Sequence, residues 1–485
     1  MTLSEFDAWY KIRHHRTSSA LTAAAFLCSD LMAVLLSFAW GFFCVRIFGF
    51  FINDSGIINA KSFITYWPYL IAFFFVFQFN RLYPGIALAP SEEMRRFFTG
   101  SLIVYGGIFL SRLVEFQSWD SINTAFLIGF IFTTLFIMVA RSLTHWLLYK
   151  TKQGGIPTVI YGSGSMGKSV ADCLARSTRS GYVPVLFLDD KLLGDDSYNG
   201  IPIIHDLSIG PEIVKKYNIK MAIIAMPKLE SQKLKHLMNT SVSAFRYNVI
   251  IPNFFNISNI YMSVRDFNGV LGIDTSNKFK LAINRGIKRF VDLGVVIIGG
   301  IVILPFLLSI ALLIKLTSPG PVLYKQKRLG RNGKHFYAYK FRSMAIDADE
   351  KLNKLLESDP ELKTEWDETH KLVNDPRITR FGKFLRRTSF DEFPQLINIL
   401  KSEMSLVGPR PITDSEVDKY GDDYSRIFSI KPGLTGMWQV SGRSDTKYND
   451  RILYDIYYLQ SWSVWLDMWI IYKTFGVVFI GKGAY

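Results

Sequence analysis

Four long apolar stretches fill the first third of the chain, and they limit what it can fold into more than any other feature. They run from Leu21 to Phe50, Ile64 to Phe79, Phe98 to Leu110, and Ala125 to Ala140, the last extending toward Leu148. The first, second and fourth approach the roughly 20 residues that cross a bilayer as a helix; the third is shorter. An even number of crossings suits the charges. Lys11, Arg13 and Arg16 precede the first stretch. Arg81, Arg95 and Arg96 lie between the second and third, and Arg141, Lys150 and Lys152 follow the fourth. The other two connections are poor in basic residues, so the positive-inside rule puts both ends in the cytoplasm. Buried helices of a soluble protein are the alternative. Composition weighs against it, with 49% hydrophobic and 15% aromatic residues and a positive mean hydropathy.

The net charge of +15 suits a protein facing anionic lipid or anionic substrates. The apolar content argues against nucleic acid as the partner. Cys28, Cys44 and Cys173 have no metal-like spacing, and neither a disulfide framework nor a zinc site is expected. Met1 to Arg16 lacks the apolar core and cleavage site of a signal peptide.

From Ile156 the period changes. Pro157 to Tyr161 reads as a short buried strand, followed by Gly162-Ser163-Gly164-Ser165-Met166-Gly167 and a helix through Arg176. Val183 to Leu188 is a second strand ending at Asp189-Asp190, and Met221 to Ala225 and Tyr247 to Ile251 are further strands. This predicts a Rossmann-like α/β domain over residues 151–265. A nicotinamide nucleotide with its ribose on Asp189 is one reading of the glycine turn. A rigid or dimerising module without redox chemistry is the other, and the chain has no Tyr-x-x-x-Lys pair for proton abstraction. Either way the domain is a candidate for homodimerisation.

A polar connector spans Asn253 to Asn284. Val291 to Ile314 then offers 24 residues whose only charge is Asp292. Basic residues flank both ends, namely Lys288 and Arg289 before it and Lys315, Lys325, Lys327, Arg328 and Arg331 after it. Pro305 sits mid-segment, where it removes a helical hydrogen bond and predicts a kink. A re-entrant helix over residues 288–315, dipping into one leaflet and returning, satisfies both facts; a kinked spanning helix is the alternative.

The last 170 residues are polar, basic and dense in Gly/Pro loops. A hairpin with a basic rim is expected around Tyr324 to Met344. Ala345 to Trp366 reads as a solvated acidic helix. The tail aromatics Tyr457, Tyr458, Trp462, Trp465 and Trp469 suggest a helix in the headgroup layer, or else an aromatic core. The most pointed stretch is Arg386-Arg387-Thr388-Ser389-Phe390-Asp391-Glu392-Phe393-Pro394. Ser389 and Glu392 have capping-box spacing, while Pro394 favours Asp391 as the N-cap. Both versions put two carboxylates at the positive end of a helix dipole with arginines upstream, which favours their ionised forms.

Six motifs in order resemble the bacterial sugar transferase family, the monotopic phosphoglycosyl transferases. They are Lys288 to Asp292 with Pro305 beyond it, Ser318 to Pro321, Tyr339 to Met344, Ser389 to Glu392, Val407 to Pro411, and Lys431 to Gly436. The four-span front, the Rossmann-like middle and the terminal Gly483-Ala484-Tyr485 are similar to the family's large members that load galactose phosphate onto undecaprenyl phosphate for O-antigen synthesis. One departure is Leu304-Pro305, where the family often has Ser-Pro.

The resemblance implies a multidomain membrane protein: a four-helix transmembrane region (1–150), the Rossmann-like domain, and an α/β catalytic domain (276–485) with the re-entrant helix. It implies transfer of a hexose-1-phosphate from a UDP-sugar to undecaprenyl phosphate with release of UMP, on the cytoplasmic side of the bacterial inner membrane. Galactose is the expected sugar and glucose the alternative; a nucleotide-sugar oxidoreductase is the rival class. Asp391 would be the nucleophile, and Glu392, with Asp391 beside it, would hold Mg²⁺. Arg410, between Pro409 and Pro411, would recognise the nucleotide. Lys340, Arg342 and Arg443 are further candidates for binding phosphate.

Overall fold

The computed structural model describes residues 3–13, 19–52, 66–83, 85, 88–116, 121–151, 155–176, 181–190, 196–251, 263–267, 270–274, 279, 281–344, 357, 377–441 and 448–480. Arg443, nearly all of the expected acidic helix from Ala345, and the terminal Gly483-Ala484-Tyr485 lie outside them. The chain divides into two compact units, Met1–Asn256 and Ile257–Tyr485.

The first unit begins with helix α1 (Leu3–Arg13), followed by α2 (Ser19–Ile52), α3 (Pro68–Phe79), α4 (Pro90–Phe116) and α5 (Ser121–Lys150). Helices α2, α4 and α5 are long and apolar enough to cross a membrane. The expected ranking of the stretches changes. The marginal third becomes a 27-residue helix, because its amphipathic lead-in from Pro90 also winds, whereas the second is a helix of only 12 residues. Pro68 opens α3 at a position where its missing N–H costs nothing. Gly41 lets α2 and α5 approach closely, since a Cβ there would lie 2.2 Å from the Ala125 carbonyl oxygen. Charges inside the bundle are paired. Arg141 donates to both oxygens of Asp30 at 2.9 and 2.6 Å and to Glu93 at 2.6 Å. Arg112 donates to Asn123 at 2.7 Å and to Tyr66.

The expected Rossmann-like sheet follows: β1 (Ile156–Tyr161), β2 (Tyr182–Leu188), β3 (Ser197–Tyr198), β4 (Ile201–Ile204), β5 (Met221–Ile224) and β6 (Tyr247–Ile250), in the order β3-β4-β2-β1-β5-β6. All neighbours are parallel except β3 with β4. Helices α6 (Ser165–Arg176), α7 (Gly210–Tyr217) and α8 (Ser231–Thr240) intervene. The sheet's core also takes in α1. Phe6 is fully buried among Val159, Leu186, Ile213 and Ile224, and meets Tyr217 edge-on at 5.0 Å. Although these residues precede the first membrane stretch, they pack on the α/β domain.

In the second unit, the expected polar connector contains an antiparallel hairpin of β7 (Ser263–Phe267) and β8 (Val270–Asp274). Helix α9 (Ala282–Thr317) then runs 36 residues with Pro305 inside it. At about 1.5 Å per residue it exceeds the ~30 Å hydrocarbon core. It is packed at two places, with a bare stretch between them. Val296 joins a core with Met404, Leu406 and Ile470; Ile310 and Ile314 join another with Phe341 and Leu385. Between them Ile298, Ile301 and Val302 are about 70% exposed, which an aqueous surface does not tolerate as a contiguous patch.

The remaining elements include the expected hairpin β9 (Leu323–Leu329) and β10 (His335–Phe341), helices α10 (Arg380–Thr388) and α11 (Leu396–Leu400), the parallel pair β11 (Ser405–Val407) and β12 (Gly433–Thr435), and helices α12 (Met437–Ser441), α13 (Tyr448–Ser461) and α14 (Val464–Ile480). Among the tail aromatics, Tyr458 and Trp462 are buried in the α9–β11 core, so for these two the core reading holds over the headgroup layer.

Phe6→Ala is expected to lower the stability of the Rossmann-like sheet by about 3 kcal/mol, because it empties a filled apolar site. Protease resistance across residues 156–251 in a urea titration measures this. Resistance equal to that of the unaltered protein would remove α1 from the core.

Candidate active site

The acidic pair sits on a different local structure from the one its spacing suggests. Thr379 caps α10 by accepting from the Gly382 amide at 2.9 Å, and α10 ends at Ser389 in the left-handed region, with φ 58°. A 3₁₀ turn, Phe390–Gln395, carries both acids, and only then does the five-residue α11 begin. The Ser389 side chain caps nothing, so the expected capping box does not form, and Asp391 lies within the turn instead of at an N-cap. Pro394 is buried inside that turn and fits its tight winding. So short a helix contributes little dipole.

Three contacts hold the turn. Phe390 packs edge-on against Phe306 at 5.0 Å, next to Pro305 on α9. Lys340 of β10 donates to Glu392 Oε1 at 2.8 Å. Asn398, fully buried, bonds β10 on both sides: its Oδ1 accepts from the Tyr339 amide at 3.0 Å and its Nδ2 donates to the Tyr337 carbonyl at 2.8 Å. Asn398 thus fixes where Lys340 meets Glu392. Sequence reasoning missed it because its partners lie some sixty positions away.

The loop bearing Arg410 is held as firmly. The Gly408 amide donates to the Thr435 carbonyl at 2.9 Å, and the Gly433 amide to the Pro409 carbonyl at 2.8 Å. Gly433 has no room for a side chain, since a Cβ would lie 2.1 Å from the Gly408 nitrogen. The Arg410 guanidinium sits 5.6 Å from the Trp438 ring centre. Arg328, Lys340, Glu392, Gln395, Arg410, Pro411, Leu434 and Gln439 line one pocket together with Ala338 and Gly433. Arg328 enters as a site residue that the sequence suggested only as a flanking charge. Arg342 does not join the pocket: its Nη2 donates to the Ser318 carbonyl at 2.7 Å, at the exit of α9. Arg443 lies outside the described residues.

The two acids diverge electrostatically. Burial and the neighbouring Glu392 charge push Asp391 up to about 6, against the pull of Lys340 and Arg386. Burial also opposes ionisation of Glu392, but Lys340, Arg410 and Arg328 outweigh it and hold its carboxyl at about 2. The expectation that both acids are favoured in their ionised forms therefore holds for Glu392 and fails for Asp391. Arginine proximity stabilises one carboxylate, which then raises the other.

The Gly162–Gly167 turn gives a different picture. Asp189 is buried, and its Oδ2 accepts from both the Ser163 amide at 2.6 Å and the Ser163 hydroxyl at 2.7 Å. A carboxylate thus already occupies the donor that a phosphate would need.

The profile of the bacterial sugar transferase family matches residues 283–481, and that of a CoA-binding domain matches residues 83–243. The undecaprenyl-phosphate galactose phosphotransferase of Salmonella typhimurium is 36% identical over 387 residues, 79% of this chain and 80% of that protein. The chain belongs to the bacterial sugar transferase family. The UDP-glucose:undecaprenyl-phosphate glucose-1-phosphate transferase of Escherichia coli is 30% identical, covering 78% of this chain and 80% of that one. The exopolysaccharide production protein ExoY of Sinorhizobium fredii is 40% identical over 198 residues, which are 41% of this chain and 88% of that protein. In this sugar transferase the glycine turn of the CoA-binding region has its Ser163 amide and hydroxyl taken up by Asp189.

Transfer activity that depends on ionised Asp391 is expected to fall as pH drops through about 6, the acid limb belonging to the Asp391–Glu392 pair. Because Lys340 lowers both carboxyls, Lys340→Met should move that limb to higher pH. A pH–rate profile in which the limb stays put would exclude this coupling.

Proposed function

We propose that this sugar transferase moves a hexose-1-phosphate from a UDP-sugar to undecaprenyl phosphate and releases UMP. The observation that carries the reading is one pocket in which Glu392, the chain neighbour of Asp391, meets three cationic side chains, Arg328, Lys340 and Arg410. Both substrates are anions, and such a pocket offsets the repulsion when they meet. Galactose is favoured by the name of the Salmonella relative, and glucose is the alternative named by the Escherichia coli one.

Asp391 acts as the nucleophile. Its carboxylate oxygen attacks the sugar-linked phosphorus, the bond to the bridging oxygen breaks, and UMP leaves with that electron pair. A phosphate oxygen of the lipid then attacks the same phosphorus and expels Asp391. Two displacements replace one difficult meeting of three charged groups. A pKa near 6 leaves Asp391 mostly ionised at neutral pH and a better nucleophile than an ordinary carboxylate. Arg410 holds the nucleotide, while Lys340 and Arg328 hold phosphate oxygens. Mg²⁺ binds one or two carboxylates together with substrate phosphates, and ionised Glu392 beside Asp391 fits that donor set. When bound it would neutralise charge on the diphosphate.

Helix α9 is re-entrant in this reading. Both of its ends are built into one unit, while the exposed Ile298, Ile301 and Val302 between them seek lipid. Phe390 on Phe306 then sets the acidic pair at the membrane surface, where the lipid phosphate lies. Both flanks of α9 lie on the cytoplasmic side of the bacterial inner membrane, as does the pocket.

Asp391→Asn is expected to abolish UMP release from UDP-sugar in the presence of undecaprenyl phosphate and Mg²⁺; full turnover by this variant would rule out the covalent step. Single cysteines at Ile287 and Leu316, in a background lacking the three native cysteines, should react with an impermeant maleimide from the same side. Labelling from opposite sides would show that α9 spans the membrane.

A further inference from the structure

Among the described residues that line the pocket, one carries a buried side-chain atom without a hydrogen-bond partner. Gln439 lies on α12, and its Oε1 is buried yet accepts no hydrogen bond among the described residues. Such an atom costs about 1–3 kcal/mol if nothing ever meets it. The backbone on which it rides has little freedom to find a partner. A Cβ at Gly436 would lie 2.4 Å from the Gly408 carbonyl oxygen, and Trp438, next to Gln439, is buried under Arg410.

An amide oxygen needs a donor. Phosphate oxygens only accept, and Arg328, Lys340 and Arg410 already serve them. The hydroxyls and N–H groups of the sugar nucleotide outside its phosphates are donors of the kind it lacks. We propose that Gln439 is a specificity-determining residue whose Oε1 accepts a hydrogen bond from a hydroxyl or N–H of the substrate outside its phosphates. This rests on the proposed transfer from a UDP-sugar. The site rewards a nucleotide that brings this donor and leaves an unpaired acceptor under one that lacks it, which is how polar sites discriminate best.

Kinetics of the full-length protein test this, with UDP-galactose and UDP-glucose as substrates and UMP as inhibitor. Gln439→Met keeps the volume and removes the acceptor. It should raise KM by about tenfold with little change in kcat. Gln439→Glu retains an oxygen and should recover part of the loss. If the donor is on the uridine, Ki for UMP rises together with both KM values. If it is on the hexose, Ki for UMP is unchanged while KM for the productive sugar rises. Either pattern supports the proposal. Unchanged KM and Ki in Gln439→Met, or a Gln439→Glu variant as impaired as Gln439→Met, would overturn it. Absence of UMP release from the unaltered protein would instead overturn the transferase reading itself.

Discussion

A buried ionic knot at the head of helix α9 is the interaction on which the catalytic unit depends. Lys288 donates to Asp467 at 2.8 Å, and Asp467 also accepts from Tyr458 at 2.7 Å and Trp462 at 3.1 Å. One turn further on, Asp292 accepts from the Ser405 hydroxyl at 2.6 Å. Arg289 donates to the last carbonyls of α11, Ile399 and Leu400, at 2.6 and 3.0 Å. Buried charges are tolerated only when so fully paired. The knot ties the apolar helix to β11, which runs into the Arg410 loop, and to α11, which follows the acidic pair. Helix α9 is therefore a beam to which both halves of the pocket are fastened, with Lys288, Arg289 and Asp292 all engaged within the protein.

The acidic pair shows how neighbouring residues of one chemical type acquire different ionisation. Lys340 bonds Glu392 and not Asp391 because Asn398 holds β10 in a fixed register with the turn. The ionised Glu392 then makes Asp391 harder to ionise. Remove the register and the asymmetry goes with it. Specific pairing, more than net positive charge, divides the acids into one of low pKa and one of intermediate pKa.

Much of this was legible in the sequence, and what was not shares a cause. Apolar length gave away α2, α5 and α9, while the strand, glycine turn and helix around Gly162 announced the α/β sheet. The acids and Arg410 stood out because Gly and Pro surround them. Local pattern failed where distant partners decide. Ser389 looked like a cap, yet α10 ends on it in a left-handed conformation. Arg342 lies outside the pocket because the Ser318 carbonyl holds its Nη2 at the exit of α9. Tyr458 and Trp462 have the amphipathic look of interfacial residues, but Asp467 lies close enough to satisfy their polar tips inside a core. Asn398 and Gln439 carry no periodic signal at all, since their significance lies in which atoms they meet or fail to meet.

The burial of Phe6 has a consequence for how the chain is threaded. Helix α1 lies before the first apolar helix and the α/β sheet lies after the last, yet the two share one core. They must therefore occupy the same side of the bilayer, and the number of crossings between them must be even. Among the described residues, three of the intervening helices are long enough to cross, an odd count that α3 would make even if it crosses as well. With 12 helical residues α3 reaches only about 18 Å, short of the ~30 Å hydrocarbon core, so a crossing there would require a locally thinned bilayer or help from its flanks. A single phenylalanine in a water-facing domain thereby dictates the parity of the membrane weave.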